Sequence, residues 1–129
     1  MPHLVVEYTA NLKDEGEIPA LLKKANRVLI DQGSVFPIGG IRSRAIEIHD
    51  WCIADGEDDY AFVHVTLKIG AGREDAVKRR ATDALFETIK THFSDLYARR
   101  YLALSMELVE FPEGGTYKHN NLHAKFRKS

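Results

Sequence analysis

Pro2 stands directly behind Met1, a residue type and position that could do acid–base chemistry. A small second residue generally permits removal of the initiator methionine, which would leave Pro2 as a free secondary amine. With Met1 attached, the same nitrogen is a non-basic amide without an N–H. The position therefore reads either as a base or as an inert spacer, and Met1 decides which. Three arginines suit an anionic partner. Arg42 and Arg44, in Gly40-Ile41-Arg42-Ser43-Arg44, are two apart, so on an extended strand both guanidiniums point to one face. Arg73 follows Gly70-Ala71-Gly72 and is expected to open a helix, where unpaired N–H groups and the positive dipole end favour anions. A guanidinium fork holds a carboxylate through two parallel hydrogen bonds, so Arg42, Arg73 and Arg44 form a candidate carboxylate-binding set.

Other chemistries find less support. Gly70-x-Gly72 lacks the third glycine of a dinucleotide fingerprint, because Asp75 stands there, and no P-loop lysine follows. His119 and His123 are four apart in a Pro- and Gly-containing tail, with no carboxylate partner at helical spacing, so no metal site is expected. His49 and His64 read as structural, and Cys52 as a small buried or half-buried hydrophobe. No Ser-His-Asp pattern or nucleophile elbow is present.

The elements that must position these residues follow from apolar spacing. Residues 2–8 alternate, with Leu4, Val6 and Tyr8 on one face, and predict a strand that carries Pro2 on rigid scaffold. Ile18, Leu21, Leu22, Ala25, Val28 and Leu29 predict an amphipathic helix from Ile18 to about Gln32, with Pro19 in its first turn and Gly33 as its stop. Residues 41–52 read as a long or bent strand. Residues 60–69 are the clearest strand, with Ala61, Val63, Val65, Leu67 and Ile69 on one face. Val77, Ala81, Ala84, Leu85, Thr88, Ile89 and Leu96 predict one long helix from Arg73 to about Leu96, and residues 101–111 a last strand. The order is β-α-β twice: a first unit over 1–56, a second over 57–111 and a tail over 112–129, together one α+β domain. A mixed sheet with both helices on one face is expected. The tail's Phe111, Tyr117, Leu122 and Phe126 could pack on a neighbouring subunit or fold back on their own domain, and the sequence leaves both open.

Composition bounds the class. The chain has 129 residues, 44% hydrophobic and 29% charged, with a formal net charge of −1, the balance of one globular domain. Four basic tail residues, Lys118, Lys125, Arg127 and Lys128, read as a solubilising cluster, and no nucleic-acid partner is expected. Cys52 is the only cysteine, which rules out an intrachain disulfide. No signal-peptide pattern and no apolar run near the ~20 residues that span a bilayer are present. The expectation is a cytoplasmic protein with no membrane partner.

Several segments together resemble a known family: Met1-Pro2-His3, Phe36-Pro37, Gly40-Ile41-Arg42-Ser43-Arg44, Ala54-Asp55-Gly56, the run from Asp59 to Arg73, and Asn120-Asn121-Leu122-His123-Ala124-Lys125-Phe126. The chain resembles the tautomerase superfamily, and within it the 5-carboxymethyl-2-hydroxymuconate isomerase family, over nearly its whole length. The resemblance implies a homotrimer with active sites near subunit interfaces, and a cofactor-free proton shuttle acting on a small carboxylate in the homoprotocatechuate branch of aromatic-compound breakdown. It implies Pro2 as catalytic base and Arg42 and Arg73 as substrate-binding residues; Arg44 is added from strand geometry alone. Alternatives on the same scaffold are a decarboxylase, a hydratase or dehalogenase, a phenylpyruvate tautomerase, or a non-catalytic trimeric binding protein.

Overall fold

The computed structural model describes residues 1–127; Lys128 and Ser129 lie outside the described residues. Four strands, β1 (His3–Thr9), β2 (Arg42–Ile48), β3 (Tyr60–Gly70) and β4 (Tyr101–Phe111), form one sheet in the order β2-β1-β3-β4. β1 pairs parallel with β2, β3 parallel with β4, and the two central strands β1 and β3 run antiparallel. Parallel neighbours require a crossover, supplied by helix α1 (Ile18–Ile30) in the first half and by α2 (Asp75–His92) with the short α3 (Ser94–Arg99) in the second. The tandem β-α-β arrangement and mixed sheet are therefore those read from the apolar pattern.

The alternation decides which face is buried. Leu4 and Val6 of β1 and Ala61, Val63, Val65, Leu67 and Ile69 of β3 are almost wholly buried, together with Leu21, Ala25 and Leu29 of α1 and Ala81, Leu85 and Ile89 of α2. Burying each Leu, Val or Ile among them contributes roughly 1.5–3 kcal/mol before entropy is counted. The alternate residues His3, Val5 and Glu7 of β1 and Ser105 and Glu107 of β4 stay half-buried or exposed. Both helices thus cover one face, and the arginines of β2 belong to the other.

Four details depart from the sequence expectation. β2 stops at Ile48, leaving Cys52 exposed in the following loop rather than buried. That loop turns through Ala54 and Gly56, both at positive φ (52° and 70°). The long helix begins at Asp75, because Glu74 is extended as its N-cap (φ −68°, ψ 150°), so Arg73 precedes the helix. It also breaks at Phe93, whose fully buried ring turns into the core. The end of α2 is held by α1 and its approach: His92 shares a 3.0 Å hydrogen bond with Lys24 and bonds the Gly16 carbonyl at 2.7 Å.

The tail folds back on its own chain. Its last helix, α4 (Leu122–Phe126), packs on the 3-10 turn Ile38–Gly40, and Asn120 Nδ2 donates to the Gly39 carbonyl at 2.9 Å. Glycine is required at the seat. A Cβ on Gly39 would stand 2.8 Å from the His123 nitrogen and 2.9 Å from its Cα, both backbone atoms that have no easy retreat. Tyr117, Leu122 and Phe126 nonetheless remain largely exposed.

Candidate active site

The N-terminus is fixed by the sheet. The Arg42 N–H donates to the Pro2 carbonyl at 3.1 Å, His3 sits opposite Arg42 in the β1–β2 register, and Pro2 itself is buried. A chain end held this way loses the fraying usual at termini. Around it lies a cavity of about 250 Å³ lined by Met1, His3, Arg42, Phe111, Thr116, Tyr117, Lys118 and His119. Strand β1, the start of β2, the end of β4 and the returning tail each supply part of the wall.

Three cations surround the amine. Burial lowers the pKa of the Met1 ammonium from its ordinary 8.0, and the charges of Lys118, Arg73 and Arg42 lower it further. Each of these effects disfavours an added positive charge. Among the described residues none of the three cations is ion-paired to a carboxylate. Larger grooves, of about 700 and 800 Å³, lie elsewhere on the surface. Most of their basic residues are already matched, Arg99 with Asp95 and Glu15, Arg100 with Asp59, and Lys78 with Asp75 and Glu110, which leaves Arg79 in the larger groove without a carboxylate among the described residues. Uncompensated positive charge at the N-terminal cavity is what an anionic ligand would neutralise.

The arginines differ in how they are held. Arg73 gives Nε and Nη2 to the Val35 carbonyl at 3.3 and 3.1 Å and Nη1 to the Gly70 carbonyl at 3.1 Å, while its guanidinium lies 4.9 Å from the centroid of the Phe36 ring. A guanidinium has five N–H donors, so a rigid, oriented fork still keeps two for another partner. Arg73 acts on the amine through its charge and does not itself line the cavity. Arg42 lines it, donating Nη1 to Met1 Sδ at 3.1 Å. Arg44 shares the face of Arg42, as its spacing required, but sits one pair further along, exposed and hydrogen-bonded to His3 Nδ1 at 3.2 Å. It does not reach the cavity wall.

Lys118 and His119 are the basic tail residues of the wall that spacing does not assign to the site. In sequence Lys118 reads as one of a solubilising cluster, and the Asn120–Gly39 bond together with the packing of α4 on the Ile38–Gly40 turn brings that stretch over the N-terminus. The His123 ring lies over Gly40, with Cε1 3.5 Å from where a Cβ would be. Among the described residues no group of three or more His, Cys, Asp or Glu side chains gathers as a metal site. His64 instead joins strands, bonding Ser105 at 2.7 Å and Glu107 at 3.0 Å.

His3 offers a direct reading of this field. Its imidazole pKa is lowered from the ordinary 6.5 by burial first, then by Arg44, Arg42, the N-terminal amine and Lys68. Neutral His3 is therefore favoured in the folded state, so the stability it contributes is present above about pH 6.5 and is lost as pH falls from there through the lowered folded value. The titration midpoint of His3 by NMR should lie below that of an exposed histidine. In Arg44→Ala it should move up, toward 6.5.

This architecture, two tandem β-α-β units sharing one mixed sheet, is that of the tautomerase superfamily. Structures sharing the fold include a fused 4-OT protein described as a symmetric trimer (25% identity, 85% of this chain and 87% of that one, TM-score 0.63). The chain belongs to the 5-carboxymethyl-2-hydroxymuconate isomerase family, which it matches over residues 2–126. It is 47% identical over 127 residues to the 5-carboxymethyl-2-hydroxymuconate Delta-isomerase of Escherichia coli, covering 98% of this chain and 100% of that protein. The crystal structure of a 5-carboxymethyl-2-hydroxymuconate isomerase from Deinococcus radiodurans R1 superimposes with a TM-score of 0.94 at 49% identity, over 98% of this chain and 95% of that one.

Proposed function

We propose that this chain is an isomerase that transposes a carbon–carbon double bond of 5-carboxymethyl-2-hydroxymuconate, with the amine of Pro2, freed of Met1, as the base. The observation that carries the reading is the buried N-terminus facing Arg42, Arg73 and Lys118, on a chain that belongs to this family. The substrate is a conjugated dienol. The amine takes the proton of the 2-hydroxyl, its O–H electrons become the C2=O bond, and the C2=C3 pair moves to C3=C4. The former C4=C5 pair then takes a proton at C5 from the ammonium just formed. Proton and electron count close on one group, so the step draws on no second reactant.

Arg42, in the cavity wall, and Arg73, beside it with two N–H donors free, hold substrate carboxylates in this reading, and they do two further things. They keep the amine neutral near working pH, where a general base is most effective. They also stabilise the dienolate as its charge develops, the part of binding that accelerates the step. Arg44 stands behind His3 as a supporting charge. The chain is read as one domain, with residues 112–127 of its tail closing the site. The trimeric state described for the fused 4-OT protein is extended to this chain, and exposed Ile46, Tyr97 and Tyr101 are apolar surface that assembly would cover. A cytoplasmic location fits this small-molecule role. No helix of the described residues is long and apolar enough to cross a membrane.

The direct test is stopped-flow absorbance of the dienol mixed with protein whose N-terminus has been verified by intact mass. Loss of the conjugated dienol band far above the buffer rate is expected. A buffer-level rate from protein with a confirmed N-terminal Pro2 would sink the reading.

A further inference from the structure

We propose that Lys118, carried over the site by the tail, is the specificity residue for the third carboxylate of the substrate, the one on its flexible carboxymethyl arm. The inference rests on the isomerase reading above. That dienol bears three carboxylates, two at the ends of the conjugated chain and one on a methylene branch. Of the cations near the cavity that lack a carboxylate partner among the described residues, Arg42, Arg73 and Lys118 act on the chain end, while Arg44 and Lys68 lie further out, against His3.

The chemistry divides them. The end carboxylates can lie in the plane of the conjugated system, and a planar guanidinium fork matches a group of fixed orientation. The arm rotates about single bonds, so its carboxylate takes no fixed plane. A lysine ammonium is a compact charge on a long flexible stem with three rotatable donors, and it can follow such a group. Arg73 is rigidly held by two backbone carbonyls and the Phe36 ring, whereas Lys118 is exposed at the cavity mouth, where a branch would emerge.

The tail is built to deliver it. Asn120, two residues on, is bonded to the Gly39 carbonyl through Nδ2, and its Oδ1 accepts the Leu122 N–H at 2.7 Å, which ties the strap to α4. The seat at Gly39 admits no Cβ. Gly40 lies beneath the His123 ring, whose Cε1 stands 3.5 Å from its Cβ position. The strap and the turn therefore form one packed unit, and Lys118 stands exposed beside it at the cavity.

The test compares 5-carboxymethyl-2-hydroxymuconate with 2-hydroxymuconate, the same dienol without the arm. It is run on the high-pH plateau, where the base is deprotonated in every variant. The readout is the ratio of kcat/KM for the two substrates. Lys118→Ala should cut this ratio about 10- to 100-fold, the range for losing a hydrogen bond to a charged group. Lys118→Arg should restore most of it, and Asn120→Ala should lower it partially by loosening the strap. A ratio unchanged in Lys118→Ala, or equal losses on both substrates, overturns the assignment. Wild-type protein that turns over neither substrate would instead overturn the isomerase reading itself.

Discussion

Protein that retains Met1 should turn over the dienol at least about 10²- to 10⁴-fold more slowly than protein that begins at Pro2, the contribution typical of a positioned general base. Two effects act together. Acylation by Met1 makes the Pro2 nitrogen an amide with no basic lone pair and no N–H. The Met1 side chain also occupies the site, its Sδ accepting from Arg42 Nη1 and its Cγ pressed toward Gly40. Intact mass followed by stopped-flow absorbance on mixed preparations checks this, and activity should scale with the fraction of chains that lack Met1. A fully active preparation in which every chain carries Met1 would remove Pro2 from the mechanism. Pro2→Ala, which also permits Met1 removal, separates the two effects. It leaves an amine near the same place, so its loss should be smaller than that of the Met1-retaining chain.

Much of this site was legible because its parts obey local rules. β3 alternates from Ala61 to Ile69, and only a strand buried on one face writes that pattern; its observed span, Tyr60–Gly70, differs by one residue. Arg42 and Arg44 do share a face, since a period of two leaves no other choice. The register then decides that Arg42 meets the N-terminus opposite His3 while Arg44 meets Val5, and spacing along one strand carries no such information. The break at Phe93 was hidden because apolar residues continue at helical spacing through Leu96. What ends α2 is the burial of Phe93 and the bond of His92 to Gly16, far away in sequence.

Lys118 shows the same limit more sharply. Nothing near it in sequence marks it as more than one basic residue among four. Its place depends on Asn120 finding the Gly39 carbonyl across 81 positions, and on Gly39 itself, whose missing Cβ leaves room for the His123 backbone. The departure of Arg73 from the helix start has a similar cause. Its guanidinium is drawn to the Val35 carbonyl and the Phe36 ring, partners on the other half of the chain. The anion-site argument from a helix N-terminus therefore gives way to one from an oriented fork with two donors to spare.

Arg42→Ala and Arg73→Ala should each lower plateau kcat/KM about 10²- to 10³-fold, the scale for removing a group that stabilises developing negative charge, and each should move the pH profile in a defined direction. A base acts deprotonated, so the rate rises with pH through its pKa. Burial and the charges of Lys118, Arg73 and Arg42 lower the pKa of the Met1 amine, and the same cations act on the Pro2 amine once Met1 is gone, because a cation nearby disfavours the ammonium form. Deleting either arginine restores part of that form, so the midpoint of the rising limb must move to higher pH. A mutation that merely loosened the fold would lower the plateau without that shift. Arg44→Ala is the internal control. Arg44 bonds His3 and stays outside the cavity wall, so its removal should leave the rising limb closer to wild type than either other deletion. Profiles of kcat/KM against pH for the three variants, taken on chains of verified N-terminus, decide the matter. If the limb stays fixed in both Arg42→Ala and Arg73→Ala, the two arginines bind substrate without tuning the base, and burial alone keeps Pro2 neutral.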